Sequence, residues 1–393
     1  MNLFSYISSQ SLTNFLRVLL LLSVILFSCK RRITNEKPEY PFPDNNLITR
    51  AQRFNIEKYK GYLKVSIINP WQGADNVRME YFLVRKDSLF PEALDSSNVI
   101  FVPVQNIVCM STTHIAMLAA LGEENSVTGV SGPDYVYSGS LKKNIEAGLV
   151  ADVGYDSGIN KELILSISPD LIMMYGIGSE SAGYVGKLKE LGIKVVFNAD
   201  YLETDPLGKA EWIKLFGALY CKEEMAYSIY QSEIRLYDSI KTYIRENVSL
   251  RPKVLLGLPY KDTWFVSPGN SFISTIISDA GGDYLWKDTE SSVSMPYGLE
   301  NVYIEALNAD FWLNIGSINS KVEIDAVDSR LTKLPCFNKG NLYNNNLRVT
   351  IKGGNDYWES GTVFPHLILS DIATILHPEL FNNKDLFYYK KIN

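Results

Sequence analysis

Few residues in this sequence have the types and spacing that catalysis or direct metal binding requires. The chain has 3 histidines, at positions 114, 366 and 377, and 4 cysteines without a CxxC spacing. Imidazole and thiolate ligands for zinc or manganese are therefore scarce. The sequence has no G-x-S-x-G elbow, phosphate loop, HExxH motif or complete G-x-G-x-x-G fingerprint. We therefore predict no catalytic residue, no resident metal and no cofactor, and a hydrolase or an oxidoreductase is the disfavoured alternative.

Cys29 is the cysteine with the most informative surroundings. It follows the apolar stretch 15–28, which is about as long as a signal-peptide core and short of the roughly 20 residues that span a bilayer. The ending Leu26-Phe27-Ser28-Cys29 resembles a relaxed lipobox, and an ordinary secretory peptide is the alternative. We predict a lipoprotein signal peptide over residues 1–28, lipidation of Cys29, and a tether over 29–50. The location implied is the cell envelope, anchored to a membrane and facing the periplasm or the cell exterior.

The other cysteines are Cys109, Cys221 and Cys336, an odd number. Cys109 lies in the apolar run 107–110, where a buried thiol acts as a small hydrophobic side chain. A disulfide between Cys221 and Cys336 is left open.

Aromatic residues are the main departure of this chain from average composition. It has 24 Tyr, 17 Phe and 6 Trp, with 46% hydrophobic and 21% charged residues. Most aromatic side chains pack in cores, but Tyr and Trp also line sites for bulky ligands. The net charge is −6 and no basic stripe is present, which argues against nucleic acid as a partner.

A repeated phrase predicts the elements that would position a ligand site. Residues 167–176 and 307–316 align without a gap: a turn with Asp, a short apolar run, then Gly. Each copy follows a helix-like stretch, so each indicates helix, turn, buried strand and loop. Two similar α/β lobes with parallel-type sheets are expected, with a cleft between them.

The remaining segments complete an α/β fold with two lobes. Residues 209–249 contain few helix-breaking residues and predict one long backbone helix, with a kink near Gly217, that joins the lobes. Strand-like runs at 62–68 and 79–84 predict an N-terminal β-hairpin extension over 51–100. The expected ligand-binding lobes are then the N-terminal lobe, 101–208, and the C-terminal lobe, 250–393.

This organisation resembles the class III substrate-binding proteins of ABC importers, which carry ferric siderophores, haem or cobalamin. The resemblance lies in segments of the two expected lobes, and the most typical are Gly148 to Gly154 and Ser168 to Ile172. The segments that match are 106–132, 153–197, 254–288, 302–316 and the ending that runs from 356–361 to 377–380. The resemblance implies a monomeric carrier that performs no chemistry and delivers a small-molecule metal chelate or tetrapyrrole to an ABC permease dimer.

By position against that family, the ligand contacts come from loops at the carboxyl ends of the strands. These residues are Thr113, His114, Tyr135, Tyr155, Asp156, Tyr175, Tyr260, Trp264, Tyr297, Tyr357 and Trp358. The resemblance implies a cargo that itself carries iron or cobalt. No Arg occurs between residues 101 and 234, which disfavours a strongly anionic siderophore unless Arg348 or lysines of the second lobe hold it.

The resemblance also implies two permease-docking acids, one in each lobe. Glu162 is the matching residue in the first lobe, and Glu300 is chosen in the second with Glu305 in reserve. An iron chelate is the expected cargo, with cobalamin or haem as the alternative. A lipoprotein that binds a protein partner through the N-terminal extension, without transport, is the second alternative.

Overall fold

The computed structural model describes residues 47–88, 96–155, 158–176, 186–382 and 384–393. The predicted signal peptide, Cys29 and all but the last residues of the tether lie outside these ranges. Within them, no helix combines the length and the apolar character needed to cross a membrane.

The N-terminal extension is a four-stranded sheet of β1 (Phe54–Tyr59), β2 (Tyr62–Ile68), β3 (Arg78–Arg85) and β4 (Val99–Val102). The predicted hairpin is present as the antiparallel pair β2 and β3. Two details differ from the prediction. β1, where buried Phe54 and Ile56 alternate with more exposed residues, was missed. β4 pairs with β3, so the extension ends at Val102 and not at residue 100.

The first lobe is a parallel sheet with helices that follow its strands. The described strands, in the order β7-β6-β5-β8-β9 across the sheet, are β5 (Ile107–Cys109), β6 (Val127–Val130), β7 (Ala151–Asp152), β8 (Leu171–Met174) and β9 (Val195–Phe197). Its helices include α1 (Thr112–Ala120), α2 (Gly139–Glu146) and α3 (Lys161–Ile167). Strands β5, β8 and β9 are buried at every position, as expected for parallel strands covered on both faces.

The connection between the lobes is not the single predicted helix. It consists of α4 (Pro206–Ala210), α5 (Ile213–Leu219) and the 25-residue α6 (Glu223–Asn247). The break between α5 and α6 lies at Cys221, whose φ of 54° is left-handed and ends a helix. Gly217, where we expected a kink, lies inside α5 and lets α6 approach, since a Cβ there would lie 2.5 Å from the Cβ of Ala226.

The second lobe has the same plan. Its strands are β10 (Lys253–Leu256), β11 (Thr263–Val266), β12 (Asp283–Tyr284), β13 (Met295–Gly298), β14 (Phe311–Leu313), β15 (Leu342–Asn344) and β16 (Lys390–Lys391). Its helices are α7 (Phe272–Asp279), α8 (Leu299–Ala306), α9 (Lys321–Val327), α10 (Pro335–Lys339), α11 (Asp356–Glu359) and α12 (Pro365–Leu376). The main sheet has the order β12-β10-β14-β15-β16, parallel except for β16, and β11 pairs separately with β13.

The repeated phrase forms equivalent structures in the two lobes. β8 lies beside β5 in the first sheet, and β14 lies beside β10 in the second. Asp170 accepts a hydrogen bond from the backbone N–H of Gln105 at 2.7 Å, and Asp310 accepts one from that of Lys253 at 3.0 Å. Each Asp therefore ties its turn to the chain that enters the neighbouring parallel strand, β5 in the first lobe and β10 in the second.

Two buried carboxylates, Glu211 in the linker and Glu203 just before it, attach the chain before β1. Glu211 accepts hydrogen bonds from the backbone N–H groups of Thr49, Arg50 and Ala51 at 2.7–2.9 Å and pairs with Lys214 at 2.6 Å. Burial acts to raise the pKa of Glu211, but Lys214 and the N–H donors outweigh it, so the pKa is lowered. Glu203 similarly accepts from the N–H groups of residues 52 and 53.

The described cysteines are all unpaired. Cys109 is buried, as predicted, and Cys336 is buried too, whereas Cys221 is half-buried. The disulfide left open between Cys221 and Cys336 is therefore absent from the described structure.

Candidate functional site

The carboxyl ends of the two parallel sheets face each other, because loops that leave these ends contact one another, directly or through a loop of the N-terminal extension. On one side, residues 131–138, which follow β6, meet residues 345–359, which follow β15. On the other side, the β2–β3 loop joins the ends of β8 and β9 to the loop after β12. Ligands of open α/β sheets bind outside the carboxyl ends of the strands. The space between these two contacts is therefore the candidate ligand cleft.

Glu359 forms the centre of the first contact. Its two carboxylate oxygens accept hydrogen bonds from the backbone N–H groups of Tyr137 at 2.6 Å and Ser138 at 2.8 Å. Burial raises the pKa of Glu359 to about 7, although these two donors act in the opposite direction. An ion pair between Lys352 and Asp134 at 2.7 Å lies beside it, on exposed side chains. Sequence reasoning missed Glu359, because its partners are about 220 residues away along the chain.

The backbones of the two lobes also touch at this contact. A Cβ at Gly354 would lie 2.7 Å from the carbonyl oxygen of Val136 and 2.9 Å from that of Tyr135. Only a residue without a side chain fits there without displacement of one loop. The close approach fixes the distance between the lobes at this end of the cleft.

Tyrosines follow four of the five described strands of the first lobe at their carboxyl ends. Tyr135 follows β6, Tyr155 follows β7, Tyr175 follows β8 and Tyr201 follows β9. Tyr135 and Tyr155 have 55% and 49% of their surface exposed. Burial raises the pKa of Tyr155, and Tyr135 and Asp152 add to the shift. Tyr201 was not in the predicted set, although the same position after β9 could have identified it.

Gly132 allows Tyr135 and Tyr155 to lie together. Its φ of 65° is left-handed, and a Cβ there would lie 2.9 Å from Cδ2 of Tyr135 and would also meet the Tyr155 hydroxyl. The glycine thus provides both the turn after β6 and the space for two aromatic rings. Thr113, at the start of α1 after β5, is half-buried and lies at the same edge of the sheet.

The second lobe also offers exposed aromatic rings. Tyr260 has 68% of its surface exposed and lies in the tight turn before β11, where its N–H donates to the carbonyl of Thr263 at 2.8 Å. Trp358 is 59% exposed on α11, beside the Glu359 contact. Tyr297, on β13, is half-buried and packs 6.5 Å from the ring of Trp286. These rings provide surfaces on which a planar or polycyclic ligand can stack.

Three residues of the predicted ligand set are buried in cores. The ring of Trp264 has no exposed surface, and its Nε1 donates to the carbonyl of Leu256 at 2.9 Å. Strand alternation explains this, because Trp264 and Val266 point inward while Phe265 points outward. Tyr357 is 3% exposed and packs edge-on against Tyr388 and Tyr389. The structure therefore does not offer Trp264 or Tyr357 to a ligand.

His114 is the third buried residue, and it is uncharged. It is fully buried in α1, 6.2 Å from the ring of Phe216, and neither ring nitrogen makes a hydrogen bond of normal geometry to a described residue. Burial lowers the pKa of His114 to about 3, while the Met173 backbone acts weakly in the opposite direction. Asp156, also in the predicted set, lies outside the described residues.

Arg348 is already engaged within the protein. Its Nε donates to Asp356 at 2.6 Å, and its guanidinium lies 5.3 Å from the ring centroid of Tyr137 and 4.3 Å from that of Phe387. It bridges the two lobes as a structural cation. Lys261 lies on the exposed turn beside Tyr260, with its ammonium 5.4 Å from that ring. The described cleft thus provides little fixed positive charge for a carboxylate-rich ligand.

The predicted docking acids occupy similar places in the two lobes. Glu162 is exposed in the first turn of α3, and Glu300 in the first turn of α8, where it lies 3.8 Å from Arg330. Glu305, held in reserve, is exposed near the end of α8. Within the described ranges, no group of three or more His, Cys, Asp or Glu side chains is arranged to hold a metal ion.

Comparison with known proteins agrees with this geometry. The sequence pattern of the family described as "Periplasmic binding protein" matches residues 107–341, more than half of the chain. An uncharacterized lipoprotein of Methanocaldococcus jannaschii is 29% identical over 389 residues, which cover 92% of this chain and 89% of that protein.

Two solved structures share the fold at low identity. A periplasmic heme binding protein from Pseudomonas aeruginosa has a TM-score of 0.56 and 17% identity, covering 74% of this chain and 98% of that one. The protein of an ABC-type Fe3+-hydroxamate transport system from Saccharomonospora viridis has a TM-score of 0.50 and 18% identity, covering 71% and 93%. Both matches show similarity of fold alone.

Proposed function

This chain belongs to the periplasmic binding protein family, whose members are binding proteins and not enzymes, and we propose that it is the substrate-binding lipoprotein of an ABC importer. In this proposal the cleft captures an iron chelate, a ferric siderophore, and the loaded monomer docks on a permease dimer. The observation that carries it is the pair of parallel sheets whose carboxyl ends, lined with accessible aromatic rings, face each other between the Glu359 and Gln72 contacts.

The chemistry of the cleft supports a bulky cargo with little negative charge. The accessible residues Tyr135, Tyr155, Tyr260 and Trp358 favour stacking and hydroxyl contacts. Arg348 is already paired with Asp356, so it does not provide the bidentate clamp that carboxylates favour. Half-buried Thr113, Tyr175 and Tyr297 complete the proposed contact set. The fold likeness to an iron-hydroxamate protein supports a siderophore, and that to a haem-binding protein keeps haem or cobalamin as the alternative.

A titration of the purified full chain tests the cargo. Intrinsic fluorescence would be followed while a ferric trihydroxamate, a ferric catecholate, haemin or cyanocobalamin is added at fixed salt, with a thermal-shift replicate. We expect saturable binding of one of these probes at 1:1 stoichiometry. Binding of haemin or cyanocobalamin alone would replace the siderophore by the alternative cargo, and binding of none would contradict a chelate carrier and favour the partner-binding lipoprotein.

Matched variants test the stacking residues. Tyr135→Ala and Trp358→Ala should each raise the Kd of the bound probe by about tenfold, since an aromatic contact contributes about 0.5–1.5 kcal/mol beyond its buried area. Tyr59→Ala serves as the control, because Tyr59 is 44% exposed on the N-terminal sheet, in β1. An equal Kd in all three variants would show that the ligand binds elsewhere.

Docking is tested separately from binding. We expect Glu162→Lys with Glu300→Lys to abolish uptake into cells and to leave ligand affinity unchanged, because both carboxylates are exposed and outside the cleft contacts. Glu246→Lys, an exposed acid on α6, is the control, and Glu305→Lys tests the reserve residue. Normal uptake by the double variant would reject this docking pair.

Membrane attachment through lipid on Cys29 is the last part of the proposal. The relative of M. jannaschii is named a lipoprotein, which supports an anchored envelope location. Mass spectrometry of the mature chain should find acyl groups on Cys29, and Cys29→Ala should release the protein from the membrane fraction. An unmodified Cys29 in a membrane-free protein would support ordinary secretion.

A further inference from the structure

The loop between β2 and β3, residues 69–77, is held in shape by its own internal hydrogen bonds. The N–H of Asn69 donates to the carbonyl of Val77 at 2.8 Å, and the N–H of Val77 donates to Oδ1 of Asn69 at 2.9 Å. Asn69 and Asn76 adopt left-handed φ values of 47° and 57°, which Asn tolerates better than most residues. Hydrogen bonds therefore join the two ends of the loop and hold its shape.

This loop is attached to the carboxyl edge of the first lobe. Trp71 is 8% exposed, with its ring 5.6 Å from that of Phe197 in β9, and its backbone bridges to Gly176 directly after β8. The N–H of Gln72 donates to the hydroxyl of Tyr201 at 3.2 Å. Tyr201 in turn donates to the carbonyl of Gly176. The loop thus extends the edge at which β8 and β9 end.

The same loop reaches the second lobe. Nε2 of Gln72 donates to the carbonyl oxygen of Ser292 at 3.3 Å, and Ser292 lies in the loop that follows β12. β8 and β9 lie on the opposite side of β5 from β6. In the second lobe, β12 forms one edge of its sheet, and β15 lies beside the strand at the other edge. The Gln72 contact is therefore at the other end of the cleft from the Glu359 contact.

We propose that the 69–77 loop forms an end wall of the ligand cleft and that Gln72 is a specificity-determining residue in it. This rests on the proposed carrier function, because it assumes that a small molecule occupies the cleft. The loop lies outside the matched family region 107–341, so the wall is an addition to the two-lobed core. Any ligand in this cleft is bounded by a segment that neither lobe supplies.

The chemistry of Gln72 indicates what it recognises. Its side chain is half-buried, one amide N–H is used on Ser292, and its Oε1 accepts no hydrogen bond from another described residue. A neutral amide oxygen accepts from N–H or O–H groups and provides no charge. The wall therefore favours a chelate with amide or hydroxyl groups on its periphery, which this amide can bond, over one with peripheral carboxylates, whose charge it does not balance.

A cross-linking experiment tests the wall without any ligand. Gln72→Cys and Ser292→Cys would be combined with Cys29→Ser and Cys221→Ser in the full chain and treated with a short bismaleimide. Two variants that each carry only one of the introduced cysteines serve as controls, and Cys109 and Cys336 are buried in all of them. We expect rapid intramolecular linkage in the pair and none in the single variants. Absence of linkage in a folded pair would overturn the proposal, because the loop would not bridge the lobes in solution.

Binding measurements test the specificity role. For whichever of ferric trihydroxamate, haemin or cyanocobalamin binds the unmodified chain, Gln72→Ala should raise the Kd about five- to tenfold, the effect of one lost hydrogen bond. Tyr201→Phe should raise it less, because it loosens the loop and keeps the amide. Gln52→Ala is the control, since Gln52 is an exposed glutamine of the same extension.

The outcomes separate the two proposals. If the cross-link forms and no probe binds, the cargo proposed above is wrong while the end wall stands. If a probe binds and Gln72→Ala and Tyr201→Phe both retain the Kd of the unmodified chain, the carrier function stands and the role of Gln72 is wrong. Equal losses for Gln72→Ala and Gln52→Ala would also reject a specific role.

Discussion

Glu359 should make the unfolding free energy of this protein depend on pH, and the substitution Glu359→Gln should remove this dependence. Glu359 is 3% exposed and lies at the lobe contact, where burial raises its pKa from 4.5 to about 7. In the unfolded chain this carboxyl titrates near 4.5, so between these two values the folded state binds the proton more tightly. The stabilisation is therefore complete below pH 4.5 and is lost as the pH rises through about 7.

The size of the effect follows from the same two values. Each unit of pKa difference between the folded and unfolded states corresponds to about 1.4 kcal/mol. A rise in the pKa of Glu359 from 4.5 to about 7 therefore corresponds to about 3 kcal/mol of unfolding free energy. Glu359→Gln removes the charge and leaves one backbone N–H facing an amide group, which costs about 1 kcal/mol. We expect the variant to be less stable than the unmodified protein at pH 5 and more stable at pH 8. The difference between their unfolding free energies should change by about 2.5 kcal/mol over this pH range.

Urea unfolding at pH 5, 6, 7 and 8 measures this difference directly, with Glu162→Gln as the exposed control. The control should follow the unmodified protein at every pH. A Glu359→Gln curve parallel to that of the unmodified protein across this range would refute the argument. It would mean that the Glu359 carboxyl gains enough from the N–H groups of Tyr137 and Ser138 to stay ionised when buried.

Three further perturbations have expected outcomes. Gly354→Ala should separate the loops at the lobe contact and lower the thermal midpoint by several degrees. Gly298→Ala, where a Cβ meets no atom within 4 Å, should leave the midpoint unchanged, and equal midpoints for the two variants would contradict the close approach at Gly354. Glu211→Gln should lower the unfolding free energy measured by urea titration by about 3 kcal/mol, because it leaves the buried Lys214 ammonium without a full counter-charge. A decrease of less than about 1 kcal/mol would contradict a stabilising Glu211–Lys214 pair. Trp358→Phe should remove most of the fluorescence change on ligand binding, and a full change in the variant would assign the signal to another tryptophan.

Much of the fold could be predicted from local patterns. The repeated phrases at 167–176 and 307–316 predicted equivalent strands in two lobes, and the described sheets contain them as β8 and β14. Such patterns work because a buried parallel strand is a short apolar run, bounded by turn residues, whatever surrounds it. The lobes, the parallel sheets and the antiparallel pair of the extension were visible for this reason.

The linker was harder, because its break depends on one backbone angle. Cys221 adopts a left-handed φ of 54° without being Gly or Asn, and its neighbours are compatible with a helix. Nothing in the local sequence distinguishes this position from the interior of α6. The packing of α5 against α6 at Gly217 decides it, and that is a tertiary contact.

The site was predictable in its location and not in its individual side chains. Strand alternation places Trp264 in the core and Phe265 at the surface, so an error of one residue in the expected strand exchanges a ligand contact for a core residue. Trp358 and Tyr357 differ in the same way on α11. Glu359 and Gln72 could not be found at all, because each acts across a gap between segments that are distant in sequence.

The attachment of residues 49–53 to Glu203 and Glu211 has a mechanical consequence. A lipid on Cys29 would pull on the protein through the tether. The described chain resists that pull first at Leu47, whose carbonyl accepts from Lys214, and then at these two carboxylates. The load would then pass into α4 and α5 and would not be borne by the loops that close the cleft. Thermal motion of the anchored protein at the membrane would therefore move both lobes together and would not increase their separation.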